Sequence, residues 1–379
     1  MPATDSLTPV PSHEELAERY APLLDVVRAA AAEADEAGEL PPQVFAALRS
    51  SGILGAAIAV EHGGLGGDAV LTNRLIELVA AADPSLAIIL FQHYAVSARI
   101  GEWGSVEQRG GYLPLLASGE WIAASAWSES GAGADKRNLS TKARRSGDGW
   151  VLDGAKTFTT GAGIAQLYLV LAQSSEPGDT DSTYGSDGQT FFLVESGTPG
   201  LVADTGMDLV GMRASATGFV ELHECQVDSG SVLGPVGRAT SIIAGVRESG
   251  ATLGAVSTGI AESAYRLVMA HAERRGLARQ QAARHRLVDL GARVEAARAL
   301  VERAGRKDAD DPGTTTLYSK VIASTVSEEV CQEALRLLGS AGFLRGHQLN
   351  KLARDARAVG LMGPTNDLCR DLVSAGWAR

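Results

Sequence analysis

The stretch WIAASAWSESGAGADKRNLSTKARRSGDGWVLDGAKTFTTGAGIAQLYLVLA, residues 121–172, decides the fold of this chain. It reads as short strands separated by glycine-rich turns, with alternation in Trp150-Val151-Leu152 and in Leu167-Tyr168-Leu169-Val170-Leu171. Long helical patterns flank it on both sides. A β-unit is therefore inserted between two helical blocks.

Inside that stretch, Ser128-Glu129-Ser130-Gly131-Ala132-Gly133-Ala134-Asp135 has small residues at almost every position, so its backbone can approach a planar or anionic ligand closely. An ordinary glycine-rich turn has the same composition. Further on, Gly154-Ala155-Lys156-Thr157-Phe158-Thr159-Thr160-Gly161-Ala162 offers a flat apolar face at Phe158 and a hydroxyl at Thr160. Together the two segments resemble the acyl-CoA dehydrogenase superfamily, whose middle domain carries T-E-P-x-A-G-S-D followed by G-x-K-x-[FW]-I-[TS]-N. The resemblance implies a bound flavin: FAD, with FMN or an exchangeable reduced flavin as the alternatives. It assigns Trp127 and Ser128 to the pyrimidine edge of the flavin, and Phe158 and Thr160 to its ring. Two positions depart from the family: Ala134 replaces a Ser and Gly161 an Asn.

Composition sets the outer limits. A chain of 379 residues, 45% of them hydrophobic, can bury a large core as one large domain or as two to three smaller ones. Its net charge of −11 argues against nucleic acid, because counterion release needs clustered Lys and Arg. Cys225, Cys331 and Cys369 are far apart with no C-x-x-C, which points to neither a disulfide framework nor a metal site. The N-terminus has no basic and apolar leader pattern, and no apolar run approaches the ~20 residues of a membrane span. A cytoplasmic protein without membrane contact is the expectation.

Taken in order, the residues before Pro11 read as disordered, and Ser12 caps a helix that should run to Ala37. Gln43 to Ser51 reads as a second helix, and the Gly-rich turn Glu61 to Gly67 matches a similar family turn. Helices follow at Ala69–Ala82, Pro84–Ile100 and Val106–Gly119. His93 within the second of these is either a core histidine or, by resemblance, a substrate-binding residue facing the acyl cavity. The tract from Ser174 to Gln189 reads as a mobile excursion between two strands. Gly211-Met212-Arg213-Ala214-Ser215-Ala216-Thr217 matches the family's G-x-R-x-S-x-T before the last barrel strand.

From Arg238 the pattern is helical. Ile242, Val246, Leu253, Val256, Ile260, Ala264, Leu267 and Val268 suit one long helix, followed by Gln281–Arg306, Thr314–Leu338 and Leu349–Ala375, a four-helix bundle. Tyr265 to Gly276 resembles the family's Y-A-x-x-R-x-x-F-G, which makes Arg274 or Arg275 a candidate for the flavin pyrophosphate, although a solvated helix end explains them equally. Leu338-Gly339-Ser340-Ala341-Gly342-Phe343 and then Arg354-Asp355-Ala356-Arg357 match Q-x-x-G-G-x-G-[YF] and R-D-A-[RK] at the family interval. Arg336 takes the Gln position. Gly339 and Gly342 should let the backbone approach the pyrophosphate, contributed from a neighbouring subunit of a homodimer or homotetramer.

The resemblance thus implies an α+β multidomain fold: an N-terminal helical domain over residues 1–120, a middle β-barrel over 121–228 and the C-terminal four-helix bundle over 229–379. It implies FAD-dependent α,β-dehydrogenation of an acyl thioester carried by coenzyme A or a carrier protein, with electron-transfer flavoprotein as partner. Most of the family takes the α-proton on a Glu in a turn just after R-D-A-[RK], but Gly363 stands there, followed by Thr365, a further flavin-side candidate. Glu248 is the provisional base, because a minority of the family places the carboxylate on the first bundle helix. A two-component flavin monooxygenase, supplied by a flavin reductase and acting on an amine or aromatic ring, stands close behind.

Overall fold

The computed structural model describes residues 10–131, 139–178, 184–375 and 377, and helices fill both its ends. The calls on Ala134 and on the residues before Val10 lie outside the described residues. Ser12 opens α1 (His13–Arg19) with a reciprocal cap: its Oγ accepts from the Glu15 N–H, and the Glu15 carboxylate accepts from the Ser12 N–H at 2.7 Å. One helix to Ala37 was expected, but the chain breaks at Tyr20 and restarts as α2 (Ala21–Ala37). Pro22 has no N–H to continue the ladder. Next come α3 (Pro42–Ser50), α4 (Ala69–Ala82), α5 (Pro84–Trp103) and α6 (Val106–Ser118). α5 runs through the interior, with Leu86 to Leu90, His93, Val96 and Ile100 all buried.

The middle part holds β1 (Ala123–Ala126), β2 (Lys142–Ser146), β3 (Gly149–Thr159), β4 (Leu167–Gly178), β5 (Asp187–Glu195), β6 (Leu201–Asp204), β7 (Gly218–Val227) and β8 (Val232–Leu233). Their order is β6-β7-β3-β2-β4-β5-β8, with β1 parallel to β4. The apolar run at β4 is explained by burial on both faces. Leu167, Leu169 and Leu171 pack toward α5 and α6, whereas Tyr168, Val170 and Ala172 join Trp150 and Phe192 in a second core. β4 and β5 extend into the tract expected as a loop, pairing out to Gly178 and Asp187, with Ser174 Oγ bonded to Gly188 O at 2.8 Å.

The C-terminal part comprises α7 (Ala239–Glu248), α8 (Gly254–Arg275), α9 (Gln281–Arg306), α10 (Pro312–Leu338), α11 (Gln348–Leu361) and α12 (Asn366–Ser374), with α8 to α11 forming the bundle. Two expected helices are each split. The first breaks after α7 because Gly250 turns left-handed, at φ 80°, and the buried Asn73 side chain captures the freed groups. Its Nδ2 donates to Gly250 O at 2.9 Å and its Oδ1 accepts from Thr252 N at 3.1 Å. The last breaks at Pro364, and Thr365 caps α12 by accepting from Leu368 N at 3.2 Å.

All three parts meet at one junction. Arg213 Nε donates to Asp35 O at 2.8 Å, Arg354 Nη1 to Val210 O at 2.7 Å, and the buried Asp355 carboxylate accepts from Met212 N at 2.6 Å and from Lys351 Nζ at 2.7 Å. The two motifs G-x-R-x-S-x-T and R-D-A-R are therefore parts of one contact. Gly211 is required there, since a Cβ would lie 2.5 Å from Arg354 O.

Candidate functional site

The ring-binding candidates gather at the end of β3. Thr157 N–H donates to Ser128 O at 2.9 Å, which sets the loop after β1 beside Phe158. Phe158 occupies the left-handed region at φ 52°, a costly conformation for an aromatic residue, and its ring is 65% exposed. Neighbouring hydroxyls form a chain: Thr160 Oγ1 lies 3.3 Å from Thr217 Oγ1, which lies 2.7 Å from Ser215 Oγ. The Trp127 indole packs on Phe191 at a 4.8 Å centroid distance, and its Nε1 is buried with no hydrogen-bond partner among the described residues. An exposed flat ring, two polar edges and an orphan donor suit a planar, heteroatom-rich cofactor. The residues present fit a flavin.

What holds this edge was not read from the sequence. Lys156 and Glu129 form a buried ion pair at 2.7 Å. The Glu129 carboxylate also accepts from Ser140 N at 2.6 Å, Ser140 Oγ at 2.5 Å and Thr141 N at 3.1 Å. Burial by itself would raise this carboxyl, but the Lys156 ammonium and the hydrogen bonds outweigh it and hold the group at about 2. The sequence signals were the Lys inside Gly154-Ala155-Lys156, two residues before Phe158, and the Glu of Ser128-Glu129.

The phosphate candidates form a separate group at the far end of the bundle. Arg274 and Arg275 are exposed in the last turn of α8, and Arg336 is exposed and paired with Glu333 at 3.1 Å. Gly339 turns the chain at φ 61°, Gly342 is buried, and Asn350 Nδ2 donates to Gly342 O at 3.0 Å. Phe343 beside them is 93% exposed. Lys320, in the N-terminal half of α10, bonds Asn366 Oδ1 at 3.2 Å at the start of α12. The ~1.5 Å rise per residue puts Lys320 and Gly339 about 28 Å apart along α10.

Two candidates take other positions than expected. His93 is fully buried: its Nδ1 accepts from Ala123 N at 3.3 Å, and Nε2 lies 3.2 Å from Leu54 O. Burial pushes the ring down to about 4, so it stays neutral, a tie between α5 and β1 with no surface for a substrate. That corrects the substrate-binding expectation. Glu248 ends α7 as an exposed carboxylate without a side-chain hydrogen bond among the described residues, on the side of α10, where a Gly313 Cβ would lie 3.8 Å from its Cγ. Thr365 spends its hydroxyl on the α12 cap. The three cysteines are free and buried.

This helical, sheet-rich, helical order with a flavin-suited edge defines a flavin-dependent oxidoreductase of the acyl-CoA dehydrogenase family, to which the chain belongs. The family's N-terminal, middle and C-terminal domain patterns match residues 11–120, 124–225 and 240–377. Members of this family bind FAD. The probable acyl-CoA dehydrogenase FadE25 of Mycobacterium tuberculosis is 31% identical over 358 residues, covering 92% of this chain and 90% of the relative. Butyryl-CoA dehydrogenase from Megasphaera elsdenii superimposes with a TM-score of 0.88 at 26% identity, covering 100% of both chains. KijD3 in complex with FMN and dTDP-3-amino-2,3,6-trideoxy-4-keto-3-methyl-D-glucose reaches 0.84 at 26% identity, covering 98% of this chain and 94% of that one. Among the described residues, no helix is long and apolar enough to cross a membrane.

Proposed function

We propose that the chain carries out α,β-dehydrogenation of an acyl thioester held against the Phe158 edge. The supporting observation is the Thr157–Ser128 hydrogen bond, which brings both ring-binding segments to one exposed aromatic face. Bound flavin supplies the two-electron acceptor. Phe158 would stack on its ring and Ser128 and Thr160 would meet its polar edge, while the Lys156–Glu129 pair keeps that edge of the protein rigid. Glu248, a carboxylate with no internal partner, takes the α-proton on an Oε. Arg274, Arg275, Arg336, Gly339 and Gly342 serve the pyrophosphate of the flavin bound by a neighbouring subunit in a homodimer or homotetramer. An electron-transfer flavoprotein would be its electron-accepting partner, in the cytoplasm.

The test is anaerobic titration of the flavin-loaded protein with butyryl-CoA. The wild type bleaches, whereas Glu248→Gln still binds the thioester and bleaches about 100-fold more slowly. Equal rates in the two proteins remove Glu248 from the mechanism, and a wild type that never bleaches removes the dehydrogenase reading. One observation favours a second reading: Gly363 leaves no side chain where the family's usual base stands. A reductase-coupled monooxygenase needs none, and it would instead consume oxygen with reduced flavin and an amine or aromatic substrate.

A further inference from the structure

A cavity away from the flavin edge opens between α6 and the middle sheet. Its volume is about 520 Å³, and its lining joins Tyr112 and Leu115 of α6 to Trp121, just before β1, and Leu193 of β5. β7 pairs with β3 from Gly218, opposite Thr159, to Val227, opposite Trp150. Val227 belongs to the lining, so the cavity lies nine residues along β7 from the Phe158 end, roughly 30 Å at ~3.3 Å per residue. Both of its sides are fixed by hydrogen bonds. Gln108 Nε2 donates to Gly230 O at 2.7 Å and to Val232 O at 2.9 Å, tying α6 to the chain after β7, and Trp121 N donates to Leu115 O at 3.0 Å.

The lining combines aromatic faces with charge of one sign. The Tyr112 and Trp121 rings lie 6.0 Å apart, inclined at 37°, and both are half-buried. Glu107, Glu195 and Asp228 also line the cavity, whereas among the described residues no Lys, Arg or His does. Tyr112 Oη donates to Glu195 Oε1 at 3.1 Å, which leaves that carboxylate further lone pairs for a second donor. Burial, then the charge of Glu195 and more weakly that of Asp228, push the phenol up to about 12, so both carboxylates act on this one hydroxyl.

The carboxylates come from three separate segments and do not converge on a point: among the described residues no three Asp, Glu, His or Cys side chains are placed to hold a metal ion. A compact divalent cation therefore finds no coordination shell here. An extended organic cation can instead meet the carboxylates one at a time and lay its methylenes and ammonium groups on the aromatic faces. We propose that this cavity binds a small aliphatic polyamine, with its ammonium groups on Glu107, Glu195 and Asp228 and its chain against Tyr112 and Trp121. Each exposed charge pair is weak singly, but one flexible chain that engages several of them makes a saturable site. The site does not depend on the dehydrogenase reading.

The probes are spermidine and putrescine, titrated calorimetrically into the flavin-loaded full-length protein at physiological salt. Spermidine should bind one saturable site about fivefold more tightly than putrescine, because it carries a third ammonium group. Glu195→Gln, Asp228→Asn and Trp121→Leu should each weaken spermidine by about fivefold. Glu61→Gln, which removes an equal charge from an exposed turn elsewhere, should leave it unchanged. If Trp121→Leu fails to fold, the two charge variants carry the test. No saturable binding of either amine, equal weakening by Glu61→Gln and Glu195→Gln, or displacement of spermidine by equimolar magnesium overturns the site. Tighter binding of Nα-acetyl-lysine amide than of spermidine overturns the polyamine assignment in favour of a basic side chain from another protein.

Discussion

Removing the charge of Glu129 while keeping its shape should unfasten the flavin edge from within. The carboxylate is 3% exposed, and it is the counter-charge of an ammonium that is itself fully buried. Glu129→Gln leaves Lys156 without that partner, and breaking one side of a buried pair costs about 3–5 kcal/mol. The proton equilibrium leads to a similar figure: a carboxyl held at about 2 instead of its ordinary 4.5 corresponds to ~3 kcal/mol. Because the folded value is depressed, this stabilisation is complete above pH ~4.5 and disappears as pH falls toward about 2. Urea unfolding at pH 7 should therefore separate wild type from Glu129→Gln by about 3 kcal/mol, and the gap should narrow steadily below pH ~4.5. The double variant Glu129→Gln/Lys156→Met should recover part of the loss, since no buried charge remains. A single variant within about 1 kcal/mol of wild type, or a gap independent of pH, would refute the reasoning.

Phe158→Ala should weaken flavin binding by about tenfold or more, measured by flavin fluorescence, with an unchanged unfolding midpoint because the ring is mostly exposed. Gly211→Ala forces a methyl to 2.5 Å from the Arg354 carbonyl and should lower stability by about 1–3 kcal/mol in thermal melts. Asn73→Ala orphans the Gly250 carbonyl and the Thr252 N–H, so a loss of about 2 kcal/mol or more is expected in urea unfolding.

Local chemistry along the chain was enough for the order of parts, the Ser12 cap and most helix ends, because each depends on neighbours within a few residues. Trp127, Ser128, Phe158 and Thr160 were singled out by the family resemblance, which could be carried by two short runs of sequence; their role toward a flavin is the proposal made above. The split after α7 was not legible, since what stabilises the Gly250 turn is an amide side chain 177 positions earlier. His93 was open between core and pocket until the fold buried it, and burial is a property of the elements around a residue rather than of its own segment. Sequence alone named candidate residues along each segment. Tertiary structure decided which of them are desolvated together, and therefore which charges are paired and which donors still lack an acceptor.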